Sequence, residues 1–292
     1  MRKDNVLGIG LSGLVGSRVV ELLSTTYSFE DVSRKTGTDI TDAENVLQRL
    51  QNSSAGYVLH LAAYTNVDAS EKQKDVGKNS EVWKINVDGT KNVIDACEAT
   101  GKKLIYISTD MVFDGNQELG SRYGEEHTPN PQNFYATTKC EAEKLILSSS
   151  VSCTILRIAY PYRAQFEKKE YVRMFKSLLE ERKEIKAVDD HYFTPTFIDD
   201  VPLVIEKIMQ ENLTGVLHAV GEEYVSPYMV ALAIADKFDL EQGLISPTTR
   251  DVFFKEKAIR GFNLSLKSDK IATLGVRMHS FSEGLDLIKR QL

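Results

Sequence analysis

Cysteine is scarce in this sequence. The arrangement of the three cysteines argues against a domain stabilised by disulfides and against one stabilised by zinc. Cys97, Cys140 and Cys153 form no Cys-x-x-Cys pair and have no metal-ligand spacing. Neither a disulfide framework nor a zinc site is therefore indicated. No His, Asp and Glu residues cluster at ligand spacing either, so the sequence predicts no metal site.

Long apolar runs and basic runs are also missing. No stretch approaches the roughly 20 apolar residues that a membrane span needs, and the first residues lead into a strand-like run, unlike a signal peptide. We therefore expect a cytoplasmic protein with no membrane partner. The formal net charge is -6 and no Lys/Arg run stands out, so we expect no nucleic-acid partner.

What the chain does contain is a regular alternation of strand-like and helix-like segments. With 292 residues, 42% of them hydrophobic, it is long enough for one large domain or two small ones. Residues 104–107 and 154–156 are nearly continuous apolar runs, as expected for parallel strands covered by helices on both faces. The pattern predicts an α/β fold with a Rossmann-like doubly wound parallel sheet, with strands at 6–9, 29–33, 57–61, 104–108 and 153–158 and helices at 14–23, 43–50, 81–99 and 134–147.

The pattern loosens after about Pro161, where charged helices at 171–182 and 202–210 are interspersed with Pro and Gly and the chain ends in an amphipathic helix. We predict that residues 1–160 form an NADP(H)-binding Rossmann-like domain. Residues 161–292 are predicted to form mainly a smaller C-terminal α/β substrate-binding lobe, from which some segments can return to the first domain. The two parts are expected to pack as one unit.

A glycine-rich run directly follows the first predicted strand and opens a helix. Its G-x-x-G-x-x-G spacing is one residue wider in the first gap than the dinucleotide fingerprint. Glycine lets the backbone approach a diphosphate, which then lies at the positive end of the helix. The alternative is that the glycines only permit a tight turn. The predicted cofactor contacts here are Gly10, Ser12, Gly13, Leu14, Val15 and Gly16.

The end of the second predicted strand indicates which dinucleotide is bound. An acidic residue there typically binds the ribose of NAD, whereas arginine accommodates the 2′-phosphate of NADP. This chain has Ser33, Arg34 and Lys35, which favours NADP(H), with Arg34 able to make a bidentate contact. A solvated basic turn is the alternative, since Asp31 lies two residues away, and use of NAD(H) stays open.

The predicted helix at 134–147 carries Tyr135 and Lys139 four positions apart, on one face. A nearby ammonium favours the ionised phenol, so we expect Lys139 to lower the pKa of Tyr135. Ser108 and Thr109 lie where a parallel strand should end, which is where ligands bind in such sheets. Together they indicate reduction of a ketone or its reverse. The alternatives are an ordinary solvated Tyr/Lys helix and hydroxyls that only cap a strand.

Several further segments resemble one family. The runs H-L-A-A-Y-T-N-V-D (60–68), S-T-D-M-V-F-D-G (108–115), D-I-T-D (39–42) and N-V-D-G-T (86–90), with P-T-F, N-L-S-L and E-G-L towards the end, resemble extended short-chain dehydrogenases/reductases. Within that family they are most similar to the dTDP-4-dehydrorhamnose reductases. Two departures concern the substrate: Met111 stands where tyrosine is usual, and Tyr160 stands at a tryptophan position.

The resemblance implies roles for individual residues. Thr109, Tyr135 and Lys139 would form the catalytic triad, with Lys139 also holding the nicotinamide ribose. The cofactor would further contact Asp39, Ile40, Leu61, Ala62, Ala63, Tyr64 and Ser108. The sugar would be bordered by Thr65, Val67, Thr109, Asp110, Met111, Tyr135 and Tyr160.

The implied activity is NADP(H)-dependent reduction of a 4-keto nucleotide sugar, with dTDP-4-dehydro-L-rhamnose converted to dTDP-L-rhamnose and Tyr135 as the acid. Two alternatives stay open. One is a nucleotide-sugar epimerase or dehydratase, which would retain its cofactor through the cycle. The other is a non-catalytic, reductase-like regulatory subunit. The expected partner is the nucleotide-sugar substrate, and a homodimer is possible.

Overall fold

The structure is a computed structural model that describes residues 3–292. Its centre is a six-stranded parallel sheet of order β2-β1-β3-β4-β5-β7, and a separate parallel pair joins β6 and β8. The predicted Rossmann-like α/β class is confirmed. The strands are β1 (Asp4–Ile9), β2 (Tyr27–Val32), β3 (Tyr57–His60), β4 (Lys103–Thr109), β5 (Cys153–Ile158), β6 (Ile185–Val188), β7 (Gly215–His218) and β8 (Ile245–Thr248).

Helices separate most of these strands along the chain. They are α1 (Leu14–Leu23), α2 (Ala43–Gln51), α3 (Val67–Glu71), α4 (Glu81–Trp83), α5 (Gly89–Thr100), α6 (Phe134–Ser148), α7 (Tyr171–Glu180), α8 (Val201–Glu211), α9 (Pro227–Lys237), α10 (Arg250–Phe253), α11 (Asp269–Thr273) and α12 (Phe281–Gln291). Short 3-10 turns occupy Arg34–Thr36, Lys74–Asn79, Asp110–Val112, Ile198–Asp200 and Gln242–Leu244. Among the described helices, none is both long and apolar enough to cross a membrane.

Alternation of side chains along each strand builds a core on both faces of the sheet. Val6 belongs to a cluster that includes residues of α1 and α8, whereas its neighbour Leu7 belongs to a cluster with residues of α2, α5 and α6. This explains the continuous apolar runs, because parallel strands buried on both faces need apolar residues at successive positions. A further core lies between α7, α9, α12 and the β6-β8 pair.

Two features depart from the simple pattern of the sequence. The single helix expected at 81–99 is α4 followed by a π-helical turn at Lys84–Asp88 and then α5. In addition, β7 pairs with β5, so the chain returns to the central sheet well after residue 161. The sequence left room for such a return, and the proposed boundary between two domains stays a prediction.

Candidate active site

The predicted functional segments follow strands that all end at one edge of the sheet. The glycine loop follows β1, residues 61–64 follow β3, Thr109 and Asp110 stand at the end of β4, and Tyr160 follows β5. Because these strands are parallel neighbours, their carboxyl ends form a single crevice, the usual ligand position in an open α/β sheet.

The glycine loop is shaped for close approach of backbone groups. Gly10 has φ of 90°, and a Cβ there would lie 2.8 Å from the backbone nitrogen of Ala62. A Cβ on Gly16 would lie 2.5 Å from the Gly10 carbonyl oxygen. Gly13 directly precedes α1 as its N-cap and provides no side-chain cap for it, so the first N–H groups of the helix stay available to a ligand. Since Ser12 and Gly13 are exposed, this end of α1 fits an anionic diphosphate.

The turn after β2 carries the residues that the sequence assigns to the adenosine ribose. The Arg34 side chain is 67% exposed and its Nε donates to Asp39 Oδ2 at 2.8 Å. Within the described chain its terminal nitrogens make no hydrogen bond, so they can meet a phosphate. Ser33 donates to Asp31 Oδ2 at 2.6 Å, while Lys35 is exposed. A phosphate bound at this turn would therefore compete with the Asp39 carboxylate for the Arg34 guanidinium.

Asn86 fixes the segment after β3. Its side-chain oxygen accepts from the Tyr64 backbone N–H at 2.7 Å, and its nitrogen donates to the Tyr64 carbonyl and to Thr138 Oγ1 on α6. The π-helical turn brings this fully buried amide to that position. Leu61, Ala62, Ala63 and Tyr64 are half-buried beside the crevice. The role of Asn86 escaped sequence reasoning, although the N-V-D-G-T run contains it.

Tyr135 and Lys139 lie at the start of α6, which the Asn133 side chain caps by accepting from the Ala136 N–H at 2.9 Å. Both side chains are buried. The Lys139 Nζ donates to the Ile107 carbonyl oxygen at 2.7 Å and lies 4.0 Å from the centre of the Tyr106 ring. Ile107 and Tyr106 therefore hold the ammonium group against β4, close to the carboxyl end of the strand.

The protonation behaviour of this pair differs from the sequence expectation. Burial, followed by the nearby Asp110 carboxylate, raises the pKa of Tyr135, and the Thr109 hydroxyl opposes this. Burial also lowers the pKa of Lys139 to about 7, against the effect of Glu143. The prediction of a lowered Tyr135 pKa was wrong, because desolvation dominates. The phenol is protonated near neutrality, as an ordinary phenol also is, and the raised pKa makes it a weaker acid than an unperturbed tyrosine.

Polar atoms without partners mark the floor of the crevice. Asp110 is 1% exposed, and burial raises its pKa to about 7, while the Thr109 hydroxyl, which donates to its Oδ1 at 2.9 Å, opposes the rise. Its Oδ2 and the Ser108 hydroxyl have no hydrogen-bond partner among residues 3–292. Buried polar groups are normally satisfied, so this pair fits a site that a bound ligand completes.

Tyr160, which follows β5, lies near Asp110 together with residues of the C-terminal half of the chain. The Tyr160 hydroxyl lies 2.7 Å from His191 Nε2, and its ring stacks on Phe193. Arg260 comes from the loop after α10, and its NH2 lies 3.0 Å from Asp68 Oδ1. Burial raises the pKa of Tyr160, as it does that of Asp110, and the charge of Arg260 opposes both rises. Sequence reasoning missed Arg260 and His191, since neither belongs to a local motif.

The remaining predicted sugar contacts lie on the rim of the crevice. Thr65 is exposed, Val67 is half-buried at the first position of α3, and Met111 is half-buried in the turn after β4. In the described part of the chain, no group of three or more His, Cys, Asp or Glu side chains is placed to hold a metal ion.

The sequence is similar to those of known proteins. The model of the "RmlD substrate binding domain" family matches residues 4–292. Among curated proteins, methionine adenosyltransferase 2 subunit beta of Bos taurus is 30% identical over 247 residues, covering 82% of this chain and 70% of that protein. The dTDP-4-dehydrorhamnose reductase of Mycobacterium tuberculosis is 26% identical over 288 residues, covering 94% and 88%.

Solved structures show the same fold. A crystal structure of dTDP-4-dehydrorhamnose reductase from Bacillus anthracis in complex with NADP superposes with a TM-score of 0.91 at 28% identity, over 100% of both chains. The UDP-glucose 4-epimerase of Thermus thermophilus, in complex with NAD, gives a TM-score of 0.80 at 20% identity, over 97% of both chains. The second likeness concerns the fold alone.

Proposed function

The chain belongs to the family of the RmlD substrate-binding domain, and from this membership we propose that it reduces a 4-keto nucleotide sugar with NADPH. The specific reaction we propose is conversion of dTDP-4-dehydro-L-rhamnose to dTDP-L-rhamnose. The observation that carries the proposal is the buried Tyr135 phenol beside the Thr109 hydroxyl, in the crevice onto which the uncapped end of α1 opens.

The residues around the glycine loop support NADP(H) as the cofactor. A diphosphate fits the free N–H groups at the start of α1, and Arg34 offers its terminal nitrogens to a 2′-phosphate. The Bacillus anthracis reductase was solved with NADP, which agrees with this assignment. When bound, NADPH supplies the hydride. We propose as its contacts Gly10, Ser12, Gly13, Leu14, Val15, Gly16, Ser33, Arg34, Lys35, Asp39, Ile40, Leu61, Ala62, Ala63, Tyr64, Ser108, Tyr135 and Lys139.

We propose separate roles in the reaction for Tyr135, Thr109 and Lys139. Tyr135 gives its proton to the substrate oxygen. The Thr109 hydroxyl turns from Asp110 Oδ1 to donate a hydrogen bond to the same oxygen. Lys139, whose pKa is about 7, can carry a proton near neutrality and so restore the phenol after each turnover. We propose that Thr65, Val67, Asp110, Met111 and Tyr160 surround the sugar. The unpartnered Oδ2 of Asp110 is then free to accept from a sugar hydroxyl.

Oxidation of NADPH and NADH by the purified protein tests this proposal. The substrate dTDP-4-dehydro-L-rhamnose, also named dTDP-4-keto-6-deoxy-L-mannose, is supplied enzymatically, and a reaction without the sugar is the control. We expect sugar-dependent oxidation that favours NADPH. Tyr135→Phe should lower the rate at least about 10²-fold with NADPH binding unchanged, whereas Tyr228→Phe on α9, outside the crevice, should leave it unchanged. Near-normal turnover by Tyr135→Phe would refute Tyr135 as the acid.

A regulatory subunit is a second candidate, favoured by the 30% identity with methionine adenosyltransferase 2 subunit beta. The same assay separates the two, because a subunit without catalysis would bind NADPH and consume none with any sugar. An epimerase or dehydratase would convert the sugar without net loss of NADPH. Cytoplasmic location and a homodimer stay predictions, which cell fractionation and sedimentation of the purified protein would test.

A further inference from the structure

Tyr160 has a backbone conformation that needs outside support. Its φ is 40°, in the left-handed region, which a bulky residue enters only when its surroundings hold it there. The ring stacks on Phe193, with centroids 3.8 Å apart, and meets the edge of Tyr171. Its hydroxyl lies 2.7 Å from His191 Nε2. The side chains of Phe193, Tyr171 and His191 therefore fix this backbone conformation.

His191 also holds the chain segment that carries Arg260. Its Nδ1 lies 2.7 Å from the carbonyl oxygen of Gly261, the residue after Arg260. The imidazole is fully buried, and burial lowers its pKa to about 4. One histidine ring thus connects two segments that are distant in sequence, the segment after β5 and the loop after α10.

These two contacts determine where the protons lie. A carbonyl oxygen can only accept, so Nδ1 of the neutral ring must carry the hydrogen, and Nε2 must then accept. The Tyr160 hydroxyl is consequently the donor to His191. Its single proton is used in that bond, and the neighbouring Arg260 guanidinium competes for one lone pair of the oxygen, so the other lone pair remains for a ligand. Tyr160 therefore offers an acceptor, and no donor, to the crevice that contains Asp110 and Arg260.

We propose that His191 is a positioning residue for substrate recognition: it orients the Tyr160 hydroxyl as a hydrogen-bond acceptor for a sugar hydroxyl and fixes the Arg260 segment beside it. The proposal rests on the proposed function, since it concerns the nucleotide sugar of that same crevice. Under this proposal, His191, which belongs to no sequence motif, makes the crevice select a ligand that presents a hydrogen-bond donor to the Tyr160 hydroxyl.

Two variants separate the two contacts of His191. His191→Asn places an amide near the Nδ1 position, keeping a donor for Gly261 and losing the acceptor for Tyr160. His191→Gln reaches the Nε2 position and keeps that acceptor. We expect His191→Asn to raise the KM for the sugar about tenfold, as for one lost hydrogen bond, with kcat and NADPH affinity changed little. His191→Gln should restore much of the KM, and His127→Asn, at a half-exposed histidine outside this cluster, should change nothing.

A double-mutant cycle tests whether His191 acts through Tyr160. If it does, Tyr160→Phe should raise KM by itself, and His191→Asn should add little in that background. Independent effects of the two substitutions would overturn the proposal, as would a KM for His191→Asn equal to that of the wild type.

Nitrogen NMR of the wild-type protein provides a readout that needs no turnover. We expect a neutral His191 ring with hydrogen on Nδ1 across the pH range 6 to 8, and a shift of the Tyr160 ring resonances in His191→Asn while the other resonances stay. Absence of turnover with every 4-keto sugar would refute the proposed function alone. Hydrogen on Nε2, or an unchanged Tyr160, would refute the role of His191 whatever the turnover.

Discussion

Replacing Lys139 with methionine should stabilise the protein while removing its activity. The pKa of this lysine is about 7 because of burial, against an ordinary value of 10.5. At about 1.4 kcal/mol per pKa unit, the difference of 3.5 corresponds to a cost of about 5 kcal/mol for holding the ammonium group in the folded protein. Methionine has a similar length and no charge, so it avoids this cost.

The pKa difference already includes the favourable contacts of the ammonium group with the Ile107 carbonyl and the Tyr106 ring. Methionine leaves the Ile107 carbonyl without this donor, which costs about 2 kcal/mol. The net stabilisation by Lys139→Met should therefore be about 3 kcal/mol at pH 6. The sign with pH follows from proton binding. Between pH 7 and 10.5 the unfolded chain binds more protons at this position than the folded chain, so wild-type stability rises with pH and the advantage of the variant shrinks.

Urea unfolding of wild type and variant at pH 6 and pH 9 measures both effects. The matched control is Lys144→Met on the same helix, whose side chain is 65% exposed and paired with Glu141; it should change the free energy of unfolding by less than about 0.5 kcal/mol. Sugar-dependent NADPH oxidation by Lys139→Met should fall at least about 10²-fold. A variant that is no more stable than wild type at pH 6, or an advantage that does not shrink at pH 9, would refute the reasoning.

Two further substitutions test the turn after β2 and the packing of α6. Arg34→Ala should weaken NADPH binding about 10-fold or more and leave NADH binding nearly unchanged, since only NADPH carries the 2′-phosphate. Equilibrium titration with each cofactor measures this, and Arg182→Ala, at a distant exposed arginine, is the control. Equal losses of affinity for both cofactors would exclude the assigned contact. Glu143→Leu should cost about 3–5 kcal/mol in urea unfolding, because it leaves the buried guanidinium of Arg157 without its carboxylate partner. Glu141→Leu, on the surface of the same helix, should cost little, and similar losses for both would contradict a special role of the buried pair.

Local patterns in the sequence were enough to place the glycine loop and the Tyr135 helix. The glycines of the loop follow a strand directly, and α1 begins at Leu14 as the pattern predicted. The four-residue spacing of Tyr135 and Lys139 likewise put both side chains on one face of α6. These are statements about neighbours in the chain, and the physical reasons for them act within one or two turns.

Properties that depend on distant segments could not be predicted in this way. The direction of the Tyr135 pKa shift depends on how deeply α6 is buried and on Asp110, neither of which the spacing of Tyr and Lys reveals. Arg260 and His191 reach the crevice only through the folding of the second half of the chain. The π-helical turn that positions Asn86 also follows from tertiary contacts, since its sequence reads as an ordinary helix.

The pairing of β7 with β5 limits how relatives of this protein can be recombined. A fragment that stops at residue 160 would leave the Cys153–Ile158 strand with unpaired backbone groups at the rim of the sheet, and Ile155 and Leu156 would lose their cover. Exposed apolar edge strands promote aggregation. Engineers who want to alter the crevice should therefore substitute individual residues, because exchanging the C-terminal half as a unit would remove β7 from the central sheet.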